Sequence, residues 1–135
     1  MRVVVDTNVL ISSLISKGGS PDRLAQLWRE KRFELVISEW QLEEFRRVSR
    51  YKQVRKRLKP AEAGRMVNGL RQHALVIDEL PEVEYSPDPD DNPIIAAALA
   101  GQAQYIVSGD KKDVLALEVI EGVQVVSVHE FISLF

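Results

Sequence analysis

Acidic side chains stand at three separate points of the chain, each next to an apolar run. Asp6 follows a run at residues 2–5 and Asp110 follows another at 105–107, whereas Asp91 precedes a run of small residues. Two carboxylates about 4 Å apart repel by on the order of 4 kcal/mol at an effective dielectric near 20, so a group of them requires protons or a cation. Such oxygen ligands favour Mg²⁺ or Mn²⁺. A divalent ion held by carboxylates is suited to phosphodiester hydrolysis.

The composition is that of an ordinary globular protein and excludes several other chemistries. The chain has 135 residues, of which 45% are hydrophobic and 28% charged, and this balance excludes a disordered or collagen-like chain. It has no cysteine, so thiol catalysis, disulfides and Cys-ligated zinc are excluded. His73 and His129 stand in unrelated contexts, and we interpret both as helix residues rather than catalytic bases. Any catalysis is therefore expected to depend on carboxylates.

The formal net charge of −2 conceals two segments of opposite sign. Residues 46–59 contain eight basic side chains and no acid, and residues 78–91 contain seven acids and no base. A basic surface beside an acidic pocket suits a polyanion that must also meet a metal ion. The alternative interpretation is a solvated basic helix face and an acidic loop.

The apolar runs are too short for an export signal or a membrane span. The first ends at Asp6, and the longest later run, at 94–100, is far below the roughly 20 residues needed to cross a bilayer. We therefore expect a cytoplasmic protein.

Short apolar runs that alternate with amphipathic segments predict a parallel sheet covered on both faces. Strands are predicted at 2–5, 34–37, 74–77, 105–107 and 123–126. Helices are predicted at 8–15, at 60–73 and at 93–100, the last with Gly101 after its end. Three more are predicted to begin after an N-cap serine: Ser20, Ser38 with Gln41 at capping-box spacing, and Ser127 with Glu130. The proline-containing stretch 79–91 is predicted to be a loop. The functional crevice of such a sheet lies beyond the carboxyl ends of its strands.

Two pairs of neighbouring acids compete for places in that crevice. Glu44 lies at one border of the apolar stripe of the third helix, and Glu43 is the competing candidate. Asp90 and Asp91 are adjacent at the start of the small-residue helix. Spacing alone leaves both choices open.

Four blocks in this order resemble the PIN domain family. They are Asp6-Thr7-Asn8 after the first strand, Ser38 with Glu44 in the third helix, Asp88-Pro89-Asp90-Asp91 before an alanine-rich helix, and Ser108-Gly109-Asp110. The resemblance extends over essentially the whole chain and is closest to the toxin-type, VapC-like members of toxin–antitoxin pairs. It implies a single PIN-like domain at residues 1–135, a three-layer α/β/α fold with a central, mostly parallel sheet of about five strands.

The resemblance also implies a metal-dependent endoribonuclease. Its Mg²⁺ or Mn²⁺ ligands would be Asp6, Glu44, Asp91 and Asp110, with Asn8 as a polar residue next to the metal. Asp91 is chosen over Asp90, and Glu44 over Glu43, from their register relative to Ala98 and Ser38. The implied substrate contacts are Ser108, at a position usually held by threonine, and the basic residues Arg46, Arg47 and Arg50. PIN toxins commonly dimerise and are inhibited by a partner protein, so a homodimer or higher homo-oligomer and an antitoxin protein are expected besides RNA.

Other functional classes fit the chain less well. An inactive PIN-like module that binds RNA or protein would be expected to have lost acids, and all four positions are filled here. A receiver or phosphatase-like domain also gathers aspartates at strand ends, but the second and third strands lack the arrangement it requires. DNA-directed flap-type nucleases share the acid cluster, usually in a much longer chain.

Overall fold

Six strands of the described residues form one sheet in the computed structural model, which describes residues 1–109 and 116–135. The strands are β1 (Arg2–Val5), β2 (Glu34–Ser38), β3 (Leu75–Ile77), β4 (Tyr105–Ser108), β5 (Val119–Ile120) and β6 (Val123–Ser127). Their order is β3-β2-β1-β4-β6-β5, and all neighbours are parallel except the β5–β6 hairpin. The predicted mostly parallel sheet is thus confirmed, with one strand more than expected. The additional strand, β5, is only two residues long and too short to leave a pattern in the sequence.

Six of the seven helices of the described residues agree with the predicted ones to within a residue or two at most ends, whereas the short helix at Lys52–Arg55 was not predicted. The seven are α1 (Thr7–Ile15), α2 (Ser20–Arg29), α3 (Glu39–Ser49), α4 (Lys52–Arg55), α5 (Pro60–His73), α6 (Asn92–Ala100) and α7 (Val128–Ile132). A 3₁₀ turn at Pro89–Asp91 leads into α6, so the end of the predicted loop is helical. None of these helices is long and apolar enough to cross a membrane.

Two of the three predicted N-caps are occupied by the expected residue. Ser38 accepts a hydrogen bond from the Gln41 amide, and Ser127 forms a complete capping box with Glu130. The prediction of Ser20 as N-cap is wrong, because Gly19 holds that position and Ser20 begins the helix.

The strands alternate their side chains between two apolar layers, which explains the three-layer architecture. On one face Val3, Val5 and Leu35 pack against α1, α2, α3, α5 and α7. On the other face Val4 and Val36 pack against α6. Because the central strands are buried on both sides, they appear in the sequence as continuous apolar runs.

The start of α3 is tied to the end of β1 by a buried glutamine. β2 ends at Ser38, which is also the N-cap of α3, and its pairing with β1 ends at Val4 of that strand. The side chain of Gln41 is fully buried and donates from Nε2 to the Val5 carbonyl at 2.6 Å. Gln41 therefore does not complete a capping box with Ser38. Instead it fixes α3 against the residue that precedes Asp6.

Gly101 allows α6 and β2 to approach each other closely. Its φ is −86°, outside the left-handed region, so the expected C-cap glycine conformation is absent. A Cβ atom at this position would lie 2.6 Å from Val36 Cγ1 and 3.1 Å from the Ala97 carbonyl oxygen. Glycine is required here by packing rather than by backbone conformation.

We expect Gly101→Ala to lower the free energy of unfolding by about 1–3 kcal/mol, because the added methyl group must displace a buried side chain. Gly69→Ala is the matched control, since a Cβ there meets nothing within 4 Å and alanine favours the helix. Urea unfolding of both variants measures the difference. A Gly101→Ala variant as stable as the Gly69→Ala variant would contradict the packing explanation.

Candidate active site

Asp6 lies at the carboxyl end of β1, at the centre of the sheet, and is 2% exposed. Its backbone amide extends the ladder by donating to the Val107 carbonyl at 3.0 Å. Its Oδ1 caps α1 by accepting from the Val9 amide at 3.0 Å. Its Oδ2 accepts from Ser108 Oγ at 2.8 Å and from the Gly109 amide at 3.2 Å. Three neutral donors from two chain segments therefore hold this carboxylate in one orientation.

The hydrogen bonds of Asp6 leave little of its carboxylate available to a ligand. An ionised carboxylate has about four acceptor sites, and three donors already bind this one. The acceptor site that is still available is on Oδ1, because Oδ1 accepts one hydrogen bond whereas Oδ2 accepts two. No ion pair among the described residues includes Asp6. Asp6 is thus a buried acid with neutral partners and room for one further contact.

Glu44 contacts Thr7, the residue that follows Asp6. Thr7 is 4% exposed, and its Oγ1 donates to Glu44 Oε1. The other carboxylate oxygen, Oε2, lies 3.9 Å from Arg47 Nη2. The side chain of Glu44 is 17% exposed, whereas that of Glu43 is 66% exposed and pairs with Arg46 at 3.2 Å. Of the two neighbouring glutamates, Glu44 faces the end of β1 and Glu43 faces solvent.

Asp91 is the buried acid of the segment that enters α6, at 2% exposure, whereas Asp90 is exposed. Asp91 occupies the N-cap position of α6, but its side chain makes no capping hydrogen bond to that helix. Its Oδ2 accepts from Ser86 Oγ at 3.1 Å. A helix-capping role therefore does not explain why this carboxylate is buried.

The loop before Asp91 is held by side chains that spacing arguments did not single out. Asn92 Oδ1 accepts from the amides of Tyr85 and Ser86 at 3.1 and 3.0 Å. Tyr85 also donates its hydroxyl to Glu121 in the β5–β6 turn. This hydrogen bond stabilises the protonated phenol and raises the pKa of Tyr85 above its usual value. Residues 85 and 86 of the loop are thereby attached both to the start of α6 and to the β5–β6 turn.

The remaining predicted site residues differ in their accessibility. Asn8 is exposed in the first turn of α1, next to Asp6. Ser108 is fully buried and donates to Asp6, so it has no surface to offer a substrate. Asp110 lies outside the described residues. Within residues 1–109 and 116–135, no three acidic or histidine side chains lie close enough together to hold a metal ion.

The predicted RNA-contacting arginines separate onto different faces. Arg47 lies near Glu44, whereas Arg46 pairs with Glu43 and lines a different cleft together with Arg50. A larger cleft, of about 1140 Å³, lies at the amino ends of β1 and β2, where Met1 and Glu34 line it. The acids lie at the opposite ends of those strands, so this larger cleft is not the candidate active site.

The sequence prediction missed three side chains that make hydrogen bonds near the candidate site: Thr7, Ser86 and Asn92. Thr7 was visible in the sequence as the middle residue of Asp6-Thr7-Asn8, but its partner lies 37 positions away in another helix. Ser86 and Asn92 act across a folded loop, and no spacing in the sequence marks such a pair.

Comparisons with known proteins agree on the fold. A family model described as PIN domain matches residues 2–112. Among solved structures, the chain is similar to one in the crystal structure of VapBC2 from Rickettsia felis bound to a DNA fragment from their promoter. The TM-score is 0.59 at 16% identity, and the match covers 94% of this chain and 98% of that one, so the likeness concerns the fold. A comparison with curated proteins gives no match.

Proposed function

Because this chain belongs to the PIN domain family, we propose that it is a divalent-metal-dependent endoribonuclease that hydrolyses phosphodiester bonds of RNA. The observation that carries the proposal is the buried carboxylate of Asp6, at the crevice position of a parallel sheet and held within the described chain by neutral donors. A charge buried in this way is costly unless a cation completes its environment. Two further acids are shielded from solvent, Glu44 in the middle of α3 and Asp91 at the start of α6.

The donor set fits a hard divalent cation. The available groups are carboxylate oxygens with no thiolate, and oxygen ligands favour Mg²⁺ or Mn²⁺ over zinc or copper. We assign Asp6, Glu44, Asp91 and Asp110 as the residues that would hold the ion. Bound there, it would lower the pKa of water and offset negative charge on the phosphoryl group.

The protein's own residues supply orientation. Ser108 and Gly109 fix Asp6 by donating to Oδ2, so that the remaining acceptor site is on Oδ1. Thr7 orients Glu44 through Oε1. Ser86 orients Asp91 through Oδ2. Ser108 is therefore assigned as a positioning residue for Asp6 rather than a substrate contact.

The RNA backbone would approach from the exposed side of the crevice. Arg47, whose side chain is 64% exposed, lies next to Glu44 and can contact a phosphate beside the reacting one. Asn8 is exposed in the first turn of α1, close to Asp6, and offers amide donors there. Such contacts position a strand without reading its sequence.

The likeness in fold to a chain of a VapBC2 complex supports a toxin role with an antitoxin protein as partner. We include in the proposal a homodimer and a cytoplasmic location, where the enzyme would meet its RNA.

Cleavage of a mixed, labelled RNA pool by purified protein tests the proposal. Reactions contain Mg²⁺, Mn²⁺ or EDTA, and an identically purified Asp6→Asn variant is the control for contaminating nucleases. We expect metal-dependent cutting by the wild type that the variant loses. RNA that is bound but left intact with both metals would favour an inactive binding module, and equal cutting by the two proteins would attribute the activity to a contaminant.

We expect Thr7→Val to lower kcat/KM for RNA by about 10-fold, because Glu44 loses the hydroxyl that orients it. Valine preserves the shape of the buried side chain, so thermal unfolding should show a folded protein. Thr7→Ser, which keeps the donor, should retain activity within a factor of about two. A Thr7→Ser variant as impaired as Thr7→Val would show that the hydroxyl is not the relevant group.

A further inference from the structure

A second basic feature lies on the face of α3 that points away from the acids. A cleft of about 400 Å³ opens between α3, α4 and α5. Its lining includes three arginines, namely Arg46 from α3, Arg50 from the segment after α3 and Arg55 from α4. A buried serine, Ser49, and an asparagine, Asn68, also line it. No acidic side chain is among the described residues that line it.

The positive charge of this cleft is only partly neutralised within the described chain. Arg46 pairs with Glu43 at 3.2 Å, but no ion pair among the described residues includes Arg50 or Arg55. Both are exposed. Guanidinium groups that converge without acids between them bind phosphate well, because their planar donors match its oxygens.

The first turn of α5 adds to the positive field of the same cleft. Pro60, Ala63 and Gly64 line it. No side chain of the described residues caps this end of the helix, and the one acid of that turn, Glu62, does not line the cleft. The positive end of the helix dipole therefore lies beside the arginines.

The cleft is separate from the catalytic acids because of helical geometry. Glu44 and Arg47 are three residues apart and lie on one face of α3. Arg46 follows Glu44 by two residues, which places it about 200° around the helix axis. A helix with its side chains is about 10 Å across, so a phosphate in this cleft cannot be the scissile one beside the acids.

We propose that the cleft lined by Arg46, Arg50 and Arg55 binds a backbone phosphate of the RNA away from the scissile bond. This inference rests on the proposed ribonuclease function and adds a second anchoring point to it. Two anchors on one strand raise affinity and set the direction in which RNA crosses the enzyme.

Equilibrium binding in EDTA tests the site without requiring cleavage. The probe is a fluorescently labelled single-stranded RNA, and its anisotropy is followed at several salt concentrations. The test protein is the Arg50→Gln/Arg55→Gln double variant. The matched control is Lys17→Gln/Arg23→Gln, which removes the same charge from exposed positions outside the cleft.

We expect the test variant to bind RNA about 10-fold more weakly, with a salt-dependence slope reduced by about 0.7 for each phosphate that it no longer binds. The control should bind like the wild type. Equal affinities and slopes for the two double variants would overturn this site and leave the ribonuclease proposal standing. A wild type that binds no RNA at the lowest salt concentration would also overturn this site, whereas the ribonuclease proposal is tested separately, by cleavage with Mg²⁺ or Mn²⁺.

Discussion

Asp91→Asn is expected to reduce metal-dependent RNA cleavage by at least about 100-fold, whereas Asp90→Asn should leave it within a factor of about three. The two variants remove the same charge from adjacent residues. Asp91 is buried at the start of α6 and held by Ser86, whereas Asp90 is exposed. Only a buried, oriented carboxylate can contribute to a fixed metal site, so the effect should follow burial rather than charge.

Two measurements make this comparison decisive. Initial rates on a single RNA give the activity, and urea unfolding shows whether each variant is folded. Asp91 makes no side-chain capping bond to α6, so Asp91→Asn should cost the helix only the interaction of that charge with its dipole, about 0.3–1 kcal/mol, and the variant should stay folded. Equal losses of activity in both variants, with both proteins folded, would contradict the assignment of Asp91.

Glu44→Gln is expected to have the second-largest effect, a loss of about 10- to 100-fold, because glutamine keeps the shape of the side chain and removes its charge. Its matched control is Glu43→Gln, one residue away. Glu43 is 66% exposed and pairs with Arg46, whose side chain is itself 41% exposed. Exposed pairs of this kind contribute little to stability, so the control should be nearly neutral in both stability and activity.

The concentration of Mn²⁺ at half-maximal rate is the informative measurement for this pair. If Glu44 helps to hold the ion, Glu44→Gln should require more Mn²⁺ for the same fractional activity, whereas Glu43→Gln should not. An unchanged Mn²⁺ requirement together with a reduced rate would instead assign Glu44 to RNA positioning. A fully active Glu44→Gln variant would remove it from the site.

The fold could be predicted from the sequence because its signals are local. The run at 2–5 is apolar almost throughout, because β1 is buried on both faces. A polar residue that directly follows such a strand must lie at the carboxyl end of the sheet, where the functional crevice is expected. Asp6 could be placed in this way, and the N-caps Ser38 and Ser127 were readable for the same reason. The strand β5 was missed because two residues carry no periodicity, and the start of α2 was misplaced by one residue because Gly19 and Ser20 are both common caps.

The choice between neighbouring acids required the tertiary structure. Adjacent residues on a helix point about 100° apart, and both members of a pair at the border of an apolar stripe satisfy the same pattern. In α3 the rotation about the helix axis is fixed by burial of Leu42 and Phe45 and by the bond from Gln41 to Val5. That rotation turns Glu44 toward Thr7 and leaves Glu43 in solvent.

The same distinction applies to the basic segment and to Ser108. The sequence by itself determined that positive charge is concentrated at 46–59 and that a hydroxyl residue precedes Asp110. Only the tertiary structure decided that Arg47 lies beside an acid while Arg46, Arg50 and Arg55 surround a separate cleft, and that Ser108 is buried against Asp6. The physical reason is that charge and hydrogen-bonding capacity belong to residue types, whereas their direction depends on which surfaces the apolar core covers.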